Sequence, residues 1–309
     1  MTIQDLSNRV QSVLPLERGL FWGGEWHHPE GVATLQSFNP SNSELLGEVH
    51  VARPQDADAA VGAARRAFPA WAATPPLDRS RCLREAAARI RANAVDLALL
   101  DAADCGNPVK AMVFDAHIAA PLAAGNTVVL KPPEQAPLST VRLMELLRDL
   151  FSPGVLNCVT GGRETGASLA SHPDVAAVGL IGSVPAGKAV MKAASATLKR
   201  TLLELGGKNA KIFGPVLSVL RWSNTQDMLL AVNSVEFGLT ASIWTQDLIT
   251  AHQTAQAVQS GYVWVNDASS HFTGAPFGGY KHSGLGREES KDELFEFTQI
   301  KNVNVSMIP

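Results

Sequence analysis

Two rhythms of apolar and polar residues run along the chain. Between residues 18 and 50, short apolar stretches alternate with polar and turn-forming residues: LFWGGEW, a break at HHPEG, then ATLQSFNP and LLGEVHVA. That pattern predicts short strands joined by turns. Over residues 56–68 the apolar positions, mostly Ala, fall at helical spacing. The same spacing recurs over about 78–93 and through AVDLALLDAADC, where Gly106 supplies a stop.

The middle of the chain changes rhythm. NTVVLKPPE, GVLNCVTGG, VAAVGLIGS and RTLLELGG are apolar runs that end in Gly, Pro or a polar residue. The stretches between them, STVRLMELLRDLF, ETGASLASH and AGKAVMKAASATL, read as helices. Buried strands alternating with helices predict parallel βαβ units. In such sheets ligands bind beyond the carboxyl ends of the strands. The residues to question are therefore Lys131, Glu134, Gly162, Gly182, Ser183 and Glu204.

After residue 213 a second α/β pattern follows. FGPVLSVLRW is strand-like, TQDMLLAVNSV helical, LTASIWTQ a strand, ITAHQTAQAVQS a helix and GYVWVN a strand. The glycine-rich segment GAPFGGYKHSGLGRE comes next. FTQIKNVNVSMI closes the chain as an alternating, β-branched strand expected at a sheet edge or a subunit interface. No internal repeat or low-complexity linker is present.

Composition narrows the class. The 309 residues allow one or two domains, and 46% apolar with 18% charged residues fits a soluble globular protein. A net charge of −3, with Lys and Arg scattered, argues against nucleic acid as a partner. Cys82, Cys105 and Cys158 show neither CxxC nor Cys/His ligand spacing, which argues against a disulfide framework or a metal site. The beginning of the chain is polar and amphipathic. IAAPLAAGNTVVL is too short and too interrupted to span a bilayer. A reducing, cytoplasmic setting without a membrane is the expectation.

Taken one at a time, the motifs stay open. GSVPAGKA nearly matches a P-loop, but Ala189 stands where the Mg²⁺-binding hydroxyl belongs, and no strand-terminal Asp follows, so a nucleoside triphosphatase is disfavoured. What survives is a strand, a Gly182–Ser183 turn and a helix start, which serve equally as a phosphate cradle or an ordinary N-cap. There is no GxGxxG. Lys131 and Glu134 suit ribose hydroxyls, with Glu134 repelling a 2′-phosphate, or else form a solvated loop. Glu204, before a Gly-Gly pair, suits a general base or a structural carboxylate.

Together, LELGGK, PFGGYKHSGLGRE, GNTVVLKPPEQAPLST and GYVWVN resemble the NAD(P)-dependent aldehyde dehydrogenase superfamily, and the resemblance runs from GGEW to FTQIKNVNV. It implies an α/β fold: a Rossmann-type cofactor domain, an α/β catalytic domain and a small oligomerisation flap. The corresponding expected boundaries are 1–206, 207–295 and a C-terminal strand over 296–309. The resemblance also implies a cysteine thiolate attacking an aldehyde, an Asn in the oxyanion site, hydride transfer to NAD(P)⁺ and a Glu that activates water. By motif, Glu204 resembles that base. Lys131 and Glu134 resemble the adenosine-ribose contacts, and Gly162 the glycine under adenine. Gly182 and Ser183 resemble the pyrophosphate turn, Phe213 resembles the residue beside the nicotinamide ribose, and Leu205 is a further cofactor-binding position. NAD is favoured over NADP, no metal is expected, and a homodimer or homotetramer is implied.

The departures are internal. NPVKAMVFDA runs directly into HIAAPLAAGNT, where the family carries a hairpin, its first cofactor-domain strand and the oxyanion Asn. KNAKI runs directly into FGPV, where the family carries the nucleophilic Cys. Joins near 116/117 and 212/213 thus leave both domains incomplete. None of the three cysteines lies in a segment that the family brings to the aldehyde. Two readings follow: an aldehyde dehydrogenase whose missing blocks exist in the full protein, or a truncated, inactive relative that binds at most a nucleotide or a partner subunit.

Overall fold

The computed structural model describes residues 3–106, 118–207, 220–272 and 274–305, with side chains described from residue 8. Two compact units are present, Met1–Val175 and Ala176–Pro309.

In the first unit, helix α1 (Ile3–Val13) precedes the strands β1 (Leu20–Trp22), β2 (Glu25–His27), β3 (Thr34–Phe38) and β4 (Leu45–His50). Three helices follow: α2 (Pro54–Ala73), α3 (Pro76–Ala92) and α4 (Ala94–Cys105). α2 starts two residues before the periodicity does. Pro54 suits the first helical turn, and the Asp56 carboxylate accepts the Arg53 N–H at 2.9 Å, closing the cap. α4 stops as expected, with Gly106 left-handed at φ 82°.

Then come α5 (Ala119–Ala123), β5 (Val128–Leu130), α6 (Leu138–Leu147), β6 (Leu156–Cys158) and α7 (Arg163–Ser171). β5 and β6 pair in parallel, from Val128 opposite Leu156 to Leu130 opposite Cys158. This is the βαβ unit that the apolar runs predict. The N-terminal hairpin extends the same sheet, giving the order β2-β1-β6-β5, with Phe21 antiparallel to Cys158. Leu143, Met144 and Leu147 of α6 are fully buried with Leu156 and Phe21. β3 and β4 form a separate hairpin, whose Leu46 and Val49 pack with Val10, Leu100, Leu138 and Val141.

In the second unit, β7 (Ala177–Ile181), α8 (Val184–Ser195) and β8 (Arg200–Glu204) form a second βαβ unit. β7 and β8 are parallel, from Ala177 opposite Arg200 to Ile181 opposite Glu204. Next are α9 (Thr225–Asn233), β9 (Phe237–Gly238), β10 (Thr240–Ile243), α10 (Leu248–Ala257), β11 (Tyr262–Val265), β12 (Tyr280–Lys281), β13 (Gly284–Leu285) and α11 (Lys291–Glu296). β10 and β11 are parallel, and β12 pairs with β9.

A Rossmann-type sheet would place all four middle strands in one ladder. Here the two parallel pairs belong to separate sheets, in which β5 and β7 are each the last strand. In the doubly wound order 3-2-1-4-5-6, the second–third and fourth–fifth pairs meet only across strand 1. The resemblance puts strand 1 in the block absent at the 116/117 join.

Among the described residues the expected closing strand finds no ladder. Residues 298–305 have no regular structure, and Ile300, Val303 and Val305 are exposed. A strand needs a neighbour's N–H and C=O groups, and none is supplied within the described residues. The strand expected in FGPVLSVLRW lies largely outside the described residues; Leu220 to Trp222 have no regular structure.

Candidate functional site

In the first unit, Lys131 and Glu134 follow the carboxyl end of β5, and Gly162 follows that of β6. Parallel pairing puts both ends at the same sheet edge. A Cβ on Gly162 would lie 3.6 Å from Glu134 Oε2, and one on Gly166 would lie 3.5 Å from Lys131 Cδ. The three sequence-chosen positions therefore share one cradle. Lys131 Nζ donates to the Pro132 carbonyl at 2.7 Å. Burial holds its pKa below the usual lysine range, against the pull of Glu134 and Cys158. The loop from 131 to 137 contains Pro132, Pro133 and Pro137 and is held at its far end by α4. Asp104 accepts the Leu138 N–H at 2.8 Å, and Asp101 accepts the Ser139 hydroxyl at 2.9 Å. An ammonium, a carboxylate and a glycine backbone converging on a strand edge fit a ribose with its hydroxyls.

In the second unit, Gly182 follows β7 and Glu204 ends the neighbouring β8, and the Gly182 N–H donates to the Glu204 carbonyl at 2.9 Å. Ser183 is the N-cap of α8; its hydroxyl accepts the Ala186 N–H at 3.3 Å. Pro185 has no N–H, so this helix start offers an anion fewer donors than most. The structure also accounts for the near-P-loop. A Cβ on Gly187 would sit 2.7 Å from the Leu205 side chain, so this glycine is set by the packing of α8 on Leu205.

Glu204 is enclosed by ladder on both sides, with Ile181 parallel to it and Gly284 of β13 antiparallel. Gly284, at φ 140°, cannot carry a side chain: its Cβ would lie 2.0 Å from the Leu203 carbonyl oxygen. The SGLG of the glycine-rich segment is thus a clasp laid against β8. Ser283 was not among the residues singled out from the sequence. It is fully buried, donates to the Gly206 carbonyl at 2.8 Å and accepts the Gly238 N–H at 2.9 Å. A small polar residue inside a glycine run was the available signal.

The rings of Tyr262, Trp264, His271 and Phe277 cluster, with centroids 4.8–6.3 Å apart. Beside them lies an open cavity of about 370 Å³, lined by Tyr262, Trp264, Asp267, Phe272 and Ala275 among others. Residues 262–277 therefore line this cavity with an aromatic wall. Phe213 and both joins lie outside the described residues. Among the described residues, no group of three His, Cys, Asp or Glu side chains could hold a metal ion. Nor is any helix there long and apolar enough to cross a membrane.

All three cysteines lie in the first unit: Cys158 buried, Cys82 partly buried and Cys105 exposed. Burial pushes the Cys158 thiol up to about 12, against a smaller downward pull from Lys131. At pH 8 such a thiol is ionised to roughly one part in ten thousand. Iodoacetamide on the native protein, read by peptide mass, should label Cys105 first and Cys158 only after unfolding. Rapid native labelling of Cys158 would remove the argument that it is an inert core residue.

The aldehyde dehydrogenase family model matches residues 26–120, 111–212 and 210–303. The match restarts close to each of the two joins. Aldehyde dehydrogenase tropH of Talaromyces stipitatus is 30% identical over 489 aligned positions, covering 96% of this chain and 95% of that protein. With 309 residues here, at least 180 of those 489 positions face a residue of the relative alone. Betaine aldehyde dehydrogenase 1 of Rhizobium meliloti is 25% identical, covering 94% and 97%. Among solved structures, an apo indole-3-acetaldehyde dehydrogenase superposes with a TM-score of 0.87 at 27% identity, covering 97% and 98%. An NAD⁺ complex of a Bacillus cereus aldehyde dehydrogenase shares the fold, with a TM-score of 0.89 at 24% identity, covering 97% and 99%. With motifs, strand pairing and family model in agreement over nearly its whole length, this chain belongs to the aldehyde dehydrogenase family.

Proposed function

We propose that the protein's activity is NAD-linked oxidation of an aldehyde to a carboxylic acid through a cysteine thioester, in a form that carries the two internal blocks. For the 309-residue chain by itself we propose nucleotide binding without turnover. The observation that carries the cofactor reading is the shared cradle of Lys131, Glu134 and Gly162 at the β5–β6 edge.

In this reading Lys131 donates to the adenosine ribose hydroxyls and Glu134 accepts from them. Gly162 leaves room beneath the adenine, and Ser183 with Gly182 faces the pyrophosphate. Leu205 and Phe213 take the nicotinamide side. When bound, the cofactor accepts hydride. Glu204 would take the proton of the water that releases the acid. The NAD⁺ complex of the Bacillus cereus enzyme supports NAD as the ligand. A carboxylate at Glu134 supports NAD over NADP, because it would face a 2′-phosphate. The exposed Ile300, Val303 and Val305 support an intersubunit role for the C-terminal segment, in a homodimer or homotetramer.

Titration calorimetry with NAD and NADP tests the cofactor half. The chain should bind NAD more tightly than NADP. Lys131→Ala should weaken NAD roughly 10-fold or more, the scale of a hydrogen bond to a charged group. Glu134→Gln should narrow the gap between the two cofactors. Equal NAD affinity in Lys131→Ala and the parent chain would overturn the assignment.

A further inference from the structure

Ser283 sits between β12 and β13, fully buried. It engages three consecutive features of the opposing turn. Its neighbour Gly284 pairs with Glu204, its carbonyl accepts the Leu205 N–H at 2.9 Å, and its hydroxyl donates to the Gly206 carbonyl at 2.8 Å. The hydroxyl is used a second time, as acceptor for the Gly238 N–H of β9 at 2.9 Å. This one oxygen thus ties the turn after β8 to a second strand. Backbone pairing with this segment ends at Leu205, whereas the turn carries on past it. The Gly206 carbonyl there is held by a side chain.

We infer that Ser283 is a positioning residue that fixes the Glu204–Leu205–Gly206 turn for the nicotinamide end of the cofactor and for the base carboxylate. The inference rests on the NAD reading above. The segment carrying Ser283 is anchored without its hydroxyl. Lys281 Nζ donates to the Asn233 and Val235 carbonyls at 2.7 and 3.0 Å, and the His282 N–H donates to the Glu236 carbonyl at 2.9 Å. Removing the Ser283 oxygen therefore frees the Gly206 carbonyl while the backbone pairing of Glu204 and Leu205 stays in place.

The test uses the 309-residue chain with AMP, which lacks the nicotinamide half, and NADH, whose emission reports the nicotinamide surroundings. Ser283→Ala should raise the NADH Kd roughly 10-fold, the scale of one buried hydrogen-bond network opened. It should also reduce the NADH emission enhancement and leave the AMP Kd within about twofold. Ser283→Thr keeps the hydroxyl and perturbs only packing. It should lower the melting temperature while keeping the NADH-to-AMP affinity ratio of the parent. Should Ser283→Ala not fold, Ser283→Cys, with its weaker donor, takes its place with the same expected direction. Parallel loss of AMP and NADH binding, unchanged NADH binding, or the same ratio change in the Thr variant would each overturn the positioning role. A parent chain that binds AMP but not NADH would overturn it while leaving the adenosine cradle standing. One that binds neither would remove the cofactor reading and the inference with it.

Discussion

The 309-residue chain should form no NADH above the blank when incubated with NAD and a broad panel of aldehydes, and a form carrying both internal blocks should form it. The reason lies in the nucleophile. Thioester chemistry needs a thiolate, and the three thiols here are a buried one pushed up to about 12, one partly buried within α3 and one at the end of α4. An acyl-transfer enzyme without its nucleophile loses roughly six orders of magnitude in rate. In the longer form, Glu204→Gln should slow turnover by roughly 10²–10⁴, the usual worth of a general base. It should leave a single-turnover burst of NADH, because hydride transfer precedes hydrolysis. An intact mass near 32.8 kDa establishes that the assayed chain is the shorter one. Aldehyde-dependent NADH formation by that chain, abolished by Glu204→Gln, would refute this account.

Asp104→Asn should stabilise the protein at neutral pH and have little effect near pH 4. Asp104, in the last turn of α4, is buried beside the start of α6, where its carboxylate accepts the Leu138 N–H and the Ser37 hydroxyl. Burial raises its pKa to about 6 from an ordinary 3.8; the nearby Asp101 adds to this, and hydrogen bonding to Ser37, Leu138 and Ser139 only partly offsets it. The folded state therefore binds the proton more tightly than the unfolded state. Its stability contribution is fully present below about pH 3.8 and is lost as pH rises through about 6. The shift corresponds to roughly 3 kcal/mol. Asn keeps an acceptor for Leu138 and a donor for Ser37 without the charge. The melting-temperature difference between Asp104→Asn and the parent should thus grow from near zero at pH 4 to roughly 5–10 °C at pH 7.5. A difference independent of pH, or a less stable variant at pH 7.5, would show that the charge is not the cost.

Much of the fold was legible because its elements are strongly periodic. The apolar run at NTVVL contains β5, the stretch ATLQSF contains β3 and the Ala-rich 56–68 stretch lies within α2, whose start is shifted by Pro54. Clustering of the cradle was foreseeable as well, since parallel strands put their carboxyl ends on one edge. Other features depended on partners distant in sequence. The glycines of SGLG gave no hint of β8, which they contact only after folding. Ser283 was one polar residue among many until Gly206 and Gly238 closed around it. Gly187 imitated a phosphate loop, although its cause is the Leu205 side chain.

By itself, the sequence determined the family, the βαβ rhythm, the positions of Lys131, Glu134 and Glu204 at strand ends, and the two places where the family's pattern breaks. These follow from local periodicity and from motifs that keep their spacing. Only the tertiary structure decided that the two parallel pairs belong to separate sheets, that Cys158 is buried, and that Asp104 is desolvated. It alone showed the turn after Glu204 held from the side by a serine. Strand pairing, desolvation and side-chain-to-backbone hydrogen bonds are set by residues far apart in the chain. A linear pattern carries the tendency of each segment but not the identity of its neighbour.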